Sequence, residues 1–439
     1  MTRRLRWLPV LLALACADPG DGTGVTALTG AAVVDVATGT TLPDAVVLIR
    51  DGRILAVGSR ADVRIPGNAQ VEELPGRTLI PGLIDAHAHL QPWGLASSVA
   101  AGVTAVRDLH DGMSLAAELR RRAATSPSPR LFLAGAMLDA PPTTYPDAFG
   151  VTDSASIAVA VDSLARSGAA WIKAYTKTTP ELLAQVVAVA SARGLPVATH
   201  LGLTDARTAA RLGVRSIEHL SGIPEALGRE AALGAAHRRG FFSGWTAFEY
   251  AWGTLDTLAL DALARDLAPT GIILVPTLGL HETFSRLDDS SVYQTPDVRG
   301  VADSVRTNWN VPGMIRRAGW DANDFPLFRE ARPLQDRFVR AFVAAGGRVA
   351  TGTDASNQLL VPGGGVHLEM ELLVRAGLTP AEALRAATMH GAALLGADSL
   401  GAIVEGKLAD LVVLGGNPLG DIRLSRQVQR VMIGGRWVK

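Results

Sequence analysis

Between residues 81 and 397 the sequence alternates short apolar runs with amphipathic segments, and no other feature restricts the fold as strongly. Aliphatic runs predict buried strands and the segments between them predict helices, a pattern typical of parallel βαβ units. Eight runs fit a strand, at residues 83–88, 103–107, 130–135, 171–175, 195–200, 214–219, 271–276 and 348–353. Eight βα units in this length predict an α/β fold of the (β/α)₈ TIM barrel type rather than a doubly wound sheet.

Both ends of the chain have a different pattern, in which short β-runs are separated by turn residues. Residues 25–80 and 398–439 contain such runs, and the pairs Asp51-Gly52 and Gly434-Gly435 are typical of two-residue hairpin turns. We therefore predict that the two ends form one small β-sandwich beside the central domain of residues 81–397.

Two regions exceed what a minimal barrel needs, residues 221–250 and 278–332. They follow the sixth and seventh predicted strands, so we expect them on the C-terminal face of the barrel, where barrel enzymes build their active sites.

Residues 1–24 have the layout of an export signal followed by a short tether. Three arginines precede an apolar run at residues 7–15, which is too short to span a bilayer. The only cysteine of the chain, Cys16, comes directly after this run, and the segment resembles a bacterial lipobox. We expect an exported protein, periplasmic or at the cell surface, that contacts the membrane only through a lipid on Cys16. The alternative is ordinary secretion after cleavage.

The charge balance argues against a nucleic-acid partner. Lys plus Arg and Asp plus Glu number 42 each, so the chain has no excess of positive charge. We expect a small-molecule partner. The sequence leaves open whether the chain also forms a homo-oligomer.

The stretch "LIPGLIDAHAHL", residues 79–90, carries polar side chains at alternate positions of an apolar run. In a strand, Asp85, His87 and His89 share one face. Two imidazoles on one face indicate a metal site, with Asp85 as a candidate acceptor for an imidazole N–H.

Four further polar residues lie at the ends of predicted strands: Lys173, His200, His219 and Asp354. The C-terminal ends of all barrel strands meet at one mouth, so these side chains are expected to converge with the two histidines. Imidazole and carboxylate suit zinc or a similar divalent metal, with one or two ions bound.

The lysine in this set allows two interpretations. Burial lowers the pKa of an amine, and a neutral amine can react with carbon dioxide to form a carbamate able to bridge two cations. Alternatively, Lys173 forms an ion pair with Asp354 or Asp85, which would leave a one-metal site.

These motifs resemble the metal-dependent amidohydrolase superfamily, and within it the imidazolonepropionase-like and Xaa-Pro dipeptidase (prolidase-like) branch. The resemblance rests on "PGLIDAHAHL", "WIKAYT", "VATH", "SIEHL", "GTDAS" and "GAIVEGKLADLVVLGGNPL", and it covers residues 25–439 except for a weaker part at 220–250. It implies that His87, His89 and Asp354 hold the more buried metal. It further implies that His200 and His219 hold the more exposed one, bridged by carboxylated Lys173.

The resemblance implies hydrolysis of carbon–nitrogen bonds in amides, cyclic amides or dipeptides. A metal-bound hydroxide would attack the carbonyl, with Asp354 as general base and then general acid. The alternatives are lactone or ester hydrolysis at the same site, or a non-catalytic exported lipoprotein that binds metal or solute. Four residues are candidates for substrate contacts because of their positions near the expected mouth: Tyr175, Trp245, His281 and His367.

Overall fold

The structure is a computed structural model, and it describes residues 22–439. The predicted export signal and Cys16 lie outside these residues and stay predictions. None of the helices within residues 22–439 combines the length and the apolar character needed to cross a membrane.

The strands of the described residues, in chain order, are β1 Thr26–Asp35, β2 Thr40–Arg50, β3 Arg53–Ser59, β4 Gln70–Glu73, β5 Thr78–Pro81, β6 Leu83–Ala88, β7 Val103–Asp108, β8 Arg130–Leu133, β9 Leu138–Asp139, β10 Phe149–Gly150, β11 Ile172–Ala174, β12 Val197–Thr199, β13 Ser216–Glu218, β14 Ile273–Val275, β15 Arg348–Val349, β16 Leu411–Leu414, β17 Val428–Ile433 and β18 Arg436–Trp437.

The α-helices are α1 Pro92–Ala100, α2 Gly112–Ala123, α3 Ser154–Arg166, α4 Pro180–Ser191, α5 Ala206–Leu212, α6 Glu230–Arg239, α7 Phe241–Trp252, α8 Thr257–Leu267, α9 Leu278–Phe284, α10 Pro296–Gly300, α11 Asp303–Arg306, α12 Val311–Ala318, α13 Asp324–Ala344, α14 Gly364–Arg375, α15 Pro380–Arg385 and α16 Gly391–Leu395. Short 3₁₀ or π turns occupy Glu225–Arg229, Ala268–Thr270, Ser290–Gln294, Ala386–His390 and Ile422–Arg426.

The two chain ends share one mainly antiparallel sheet, with strand order β18-β17-β16-β5-β1-β2-β3 and β4 beside β1. The strands of the two ends pair through β5 and β16, which are antiparallel and place Leu79 opposite Val413. Asp51 and Gly52 connect β2 to β3 with φ of 51° and 74°, as two-residue hairpins require. The predicted association of both ends in one β-structure is therefore confirmed.

The central part of the chain contains two parallel sheets, with orders β6-β7-β8 and β10-β9-β11-β12-β13-β14-β15. Each of the eight predicted runs contains one strand, namely β6, β7, β8, β11, β12, β13, β14 or β15. Strands β9 and β10 were not predicted, because two residues are too few for a hydrophobic pattern.

Hydrogen bonds join the two parallel sheets to each other at two places. On one side, the Ala86 amide of β6 donates to the Thr351 carbonyl just beyond β15, at 2.8 Å. On the other side, the Ala170 amide just before β11 donates to the Leu133 carbonyl of β8, also at 2.8 Å. The C-terminal ends of the strands consequently face one common space.

The two predicted extra regions fold into helices that have their own apolar core. Trp245 of α7, Phe284 of α9 and Phe328 of α13 belong to one buried cluster. The same cluster includes Ala355 and Leu359, which follow β15 on the C-terminal side of the strands. The extra helices therefore pack over the strand ends, as expected.

Candidate metal and active site

A cavity of about 570 Å³ lies at the C-terminal ends of the parallel strands. Parallel strands place their C-terminal residues at one edge, so residues far apart in sequence become neighbours there. The structure brings all six residues of the predicted metal site to the lining of this cavity: His87, His89, Lys173, His200, His219 and Asp354.

The donor atoms of these side chains lie close together. Nε2 of His87 is 3.2 Å and Nε2 of His89 is 3.0 Å from Oδ1 of Asp354. One donor atom each from His87, His219 and Asp354 lie within 4.8 Å of one another, and all three residues are buried. The ring centroids of His200 and His219 are 4.6 Å apart. Nitrogen and carboxylate donors thus surround a space suited to a divalent metal.

Burial keeps two of the imidazoles in the form that binds metal. It lowers the pKa of His200 and of His219 well below the ordinary value, so both rings are neutral near pH 7. Burial alone would raise the pKa of Asp354, but the neighbouring imidazoles, His219 foremost, hold it well below its usual range. The site therefore presents neutral nitrogens and an ionised carboxylate.

Glu218 orients the first histidine, a role that the sequence analysis missed. Its Oε2 lies 2.7 Å from Nδ1 of His87, while Arg107 donates from Nη2 to Oε1 at 2.9 Å. All three side chains are fully buried. Burial would raise the pKa of Glu218, yet the positive charge of Arg107 is the main cause that lowers it to about 2. An anionic Glu218 fixes His87 with Nε2 directed to the cavity.

The other ligand candidates also have fixed partners. Nδ1 of His219 lies 2.8 Å from Oγ1 of Thr277, and Nδ1 of His89 lies 3.2 Å from the carbonyl of His110. Asn357 donates from Nδ2 to Oδ2 of Asp354 at 2.7 Å, which leaves Oδ1 toward the histidines. Such partners hold metal ligands in one orientation.

Asp85 does not accept an imidazole N–H, in contrast to the expectation from its position. Its Oδ1 accepts the backbone amides of His87 and Thr353, and its Oδ2 accepts the Thr353 hydroxyl at 2.6 Å. Asp85 therefore joins β6 to the segment after β15. The imidazole contact that was expected for Asp85 is made by Glu218 instead.

Lys173 is buried, and its Nζ has no hydrogen-bond partner among residues 22–439. The ion pair with Asp354 or Asp85 that was considered as an alternative is not formed in the structure. Burial is the main cause that lowers the pKa of Lys173 to about 8. Burying an amine without a hydrogen-bond partner costs free energy. These surroundings therefore fit a Lys173 that is carboxylated, with or without a metal bound to the carbamate.

Three residues around the cavity have left-handed backbone conformations. The φ angles of His219, Thr277 and Asp354 are 59°, 48° and 56°. Such angles are uncommon outside glycine and persist only where surrounding contacts enforce them. Here they turn the chain sharply at the strand ends, so that His219 and Asp354 reach the cavity and Thr277 contacts His219.

The four predicted substrate contacts divide into two groups. Tyr175 and Trp245 line the cavity, whereas His281 and His367 do not. His281 lies behind Trp245, with its ring stacked at 5.2 Å and its Nδ1 2.6 Å from Glu249. Both nitrogens of His367 are paired elsewhere, with Ser425 and the Ala101 carbonyl. Helices α9 and α14 turn these histidines away from the mouth. The position of a residue after a strand does not predict this direction of its side chain.

Several lining residues were not predicted as substrate contacts: His110, Tyr145, Phe241, Phe284, Met314, Arg317 and Asn357. Most of them belong to loops or to the extra helices, where no strand position marks the direction of a side chain. The aromatic content of the region around Trp245 was the one available signal.

Sequence comparison assigns the chain to a family. The model of the amidohydrolase family matches residues 78–438, so the chain belongs to this family. Imidazolonepropionase of Deinococcus deserti is 26% identical over 400 residues, which are 85% of this chain and 86% of that protein. Ochratoxinase of Aspergillus niger is 36% identical over 115 residues, and this match spans 24% of the chain and only 23% of ochratoxinase. The predicted membership of the amidohydrolase superfamily is confirmed.

Solved structures show the same fold. A Xaa-Pro dipeptidase with bound methionine in its active site has a TM-score of 0.68 and 21% identity, covering 94% of this chain and 99% of that one. Ochratoxinase of A. niger has a TM-score of 0.67 and 20% identity, covering 94% and 95%. At these identities the similarity establishes the fold alone.

Proposed function

We propose that this protein is a metal-dependent hydrolase that cleaves carbon–nitrogen bonds in amides, cyclic amides or dipeptides. The observation that carries the proposal is the convergence of four imidazoles, one carboxylate and the unpartnered Lys173 amine on one cavity. A protein that only binds metal or solute would need no group for proton transfer, whereas the Asp354 carboxylate lines this cavity. Membership of the amidohydrolase family supports the same reaction class.

We further propose that the two parallel sheets form one closed (β/α)₈ barrel and that the sheet of the chain ends forms a β-sandwich. The hydrogen bonds that join the two parallel sheets at two places support the barrel. Apolar clusters around Leu28 and around Val46 support burial of both faces of β1 and β2.

The proposed cofactor is zinc or a similar divalent ion, one or two per chain. His87, His89 and Asp354 would hold the first ion, and His200 with His219 the second. Carboxylated Lys173 would bridge them, which is chemically reasonable for an amine with a lowered pKa. A bound divalent ion supplies a Lewis acid that polarises a carbonyl and makes a nearby water more acidic.

Asp354 is the group of this chain that moves the proton. It accepts a proton from the attacking water, whose oxygen joins the acyl carbon. It then returns the proton to the nitrogen as the C–N bond breaks, so the products are a carboxylic acid and an amine. Asn357 holds Oδ2 of Asp354 throughout, at 2.7 Å, and keeps the carboxylate directed to the cavity.

The proposal is tested with full-length protein depleted of metal by chelation and then loaded with Zn²⁺. We expect it to hydrolyse members of a library of dipeptides and N-acyl amino acids, and we expect the metal-free protein to be inactive. Matched esters and lactones in the same library test the alternative activity. Zinc binding with no hydrolysis of any compound would contradict the proposal and favour the non-catalytic exported lipoprotein.

We also propose export and a lipid anchor at Cys16, which rest on the sequence of residues 1–24 alone.

A further inference from the structure

The wall of the cavity next to His200 consists of nearly parallel aromatic rings. Tyr175 and Phe241 are stacked with 20° between their planes and 6.4 Å between centroids. Phe241 and Trp245 are stacked with 29° and 6.2 Å. We refer to Tyr175, Phe241 and Trp245 as the aromatic row. His200 contacts all three rings edge-on, so the row directly adjoins the proposed metal centre.

Trp245 in this row is held from behind. His281 stacks on it with 13° between planes, and Glu249 of the same helix α7 fixes His281 through Nδ1. Gln335 of α13 in turn donates from Nε2 to Glu249 at 3.1 Å. This buried network holds the Trp245 ring in one orientation, and the row presents a surface suited to a flat apolar group of a substrate.

Arg317 of α12 is the one charged side chain in the described lining of the cavity outside the predicted metal set. It is exposed, and its guanidinium forms no hydrogen bond or ion pair with any residue of the described chain. The ring of His110, which also lines the cavity, is paired through Nε2 with Oδ1 of Asp147 at 3.1 Å. A substrate that enters the cavity therefore meets a single free cation beyond the metal centre.

We infer that the substrate is an amide with a free carboxylate, which Arg317 binds, and with an aromatic group that packs on the aromatic row. A planar guanidinium pairs with a carboxylate through two parallel hydrogen bonds, which gives selectivity as well as attraction. The class is that of N-acyl amino acids or dipeptides with an aromatic side chain. This inference rests on the proposed function and specifies its substrate.

Helix α12 offers a matched control for Arg317. Arg316 is the preceding residue, is also exposed, and forms no hydrogen bond or ion pair with the rest of residues 22–439, but it does not line the cavity. Replacing either arginine removes one positive charge from the same helix turn. Only the Arg317 change should alter recognition inside the cavity.

The test compares N-acetyl-phenylalanine with its C-terminal carboxamide, using the zinc-loaded full chain. Chromatography follows release of phenylalanine or phenylalaninamide and yields kcat/KM for each substrate. We expect the wild type to prefer the carboxylate, and Arg317→Gln to reduce that preference by about tenfold, the low end for a charge-assisted hydrogen bond because the arginine is exposed. Arg316→Gln should keep the wild-type preference.

The aromatic part is tested with N-acetyl-phenylalanine against N-acetyl-alanine. We expect Phe241→Leu to reduce the preference for phenylalanine by about three- to tenfold, while circular dichroism and the melting temperature verify that the variant is folded. Hydrolysis of both acids with no preference for phenylalanine in the wild type would overturn this part.

The outcomes separate this inference from the proposed function. If no amide of any kind is hydrolysed, the proposed function itself fails. If amides are hydrolysed but Arg317→Gln and Arg316→Gln show the same carboxylate preference, the proposed function stands and the role of Arg317 is refuted.

Discussion

Glu218→Gln is the substitution whose effect can be worked out most directly from the structure. The change keeps the shape of the side chain but removes its negative charge. That charge pairs with Arg107 and orients the His87 ring. Buried Arg107 would then lack a counter-ion, and breaking a buried pair in this way typically costs about 3–5 kcal/mol.

The pKa of Glu218 gives an independent magnitude. A pKa of about 2 in place of the ordinary 4.5 corresponds, at about 1.4 kcal/mol for each factor of ten, to roughly 3 kcal/mol of stabilisation at pH 7. Because this pKa is lowered by folding, the stabilisation is complete above pH 4.5 and is lost as the pH falls toward 2. The difference between wild type and Glu218→Gln should therefore shrink over that interval.

Equilibrium urea denaturation of the metal-free protein, followed by tryptophan fluorescence, measures the free energy of unfolding. We expect Glu218→Gln to lower it by about 3 kcal/mol at pH 7 and to weaken zinc binding by about 10- to 100-fold through the loosened His87.

Glu225 provides the control for this experiment. It is equally buried, neither of its carboxyl oxygens has a hydrogen bond within the described chain, and burial raises its pKa to about 8. It is mostly protonated at pH 7 in the folded protein but ionised in the unfolded chain, which costs roughly 3 kcal/mol of stability. The neutral Glu225→Gln removes this cost, so it should raise the free energy of unfolding at pH 7 instead of lowering it. Equal losses in the two variants would refute the reasoning, because they would show that the Arg107 pair contributes nothing specific.

Four further predictions concern the metal centre and the anchor. The double variant His87→Ala, His89→Ala should lose at least one equivalent of zinc by elemental analysis, and unchanged content would contradict the ligand assignment. Lys173→Ala should lose activity that short carboxylic acids partly restore, whereas a bare Lys173 amine in a crystal of the zinc-loaded protein would exclude the carbamate. Asp354→Asn should keep most of its metal while kcat falls by about 10² to 10⁴, and a kcat near wild type would assign the proton transfer to another group. Mass spectrometry of protein from a bacterial host should find an acylated Cys16 at the mature N-terminus, and an unmodified N-terminus would remove the anchor.

The sequence by itself determined the order of elements and the residues that converge. Apolar runs of strand length recur with helical segments between them, and these patterns are local, so all eight predicted strands coincide with strands of the structure. Parallel strands share one C-terminal edge, which suffices to bring Lys173 and Asp354 together although 181 positions separate them by their numbers. The hairpin at Asp51-Gly52 is equally local, because its positive φ angles depend on two residues only.

Only the tertiary structure decided which side chains support these residues. Glu218 and His87 belong to different strands, and their 2.7 Å contact depends on how those strands face each other across the interior. His281 follows a strand as His219 does, but α9 begins immediately and places it behind Trp245 instead of in the cavity. The direction of a side chain outside a strand depends on packing between distant segments. No local pattern encodes that packing, so Phe241 and Arg317 were missed, although Tyr175 and Trp245 of the same wall were predicted.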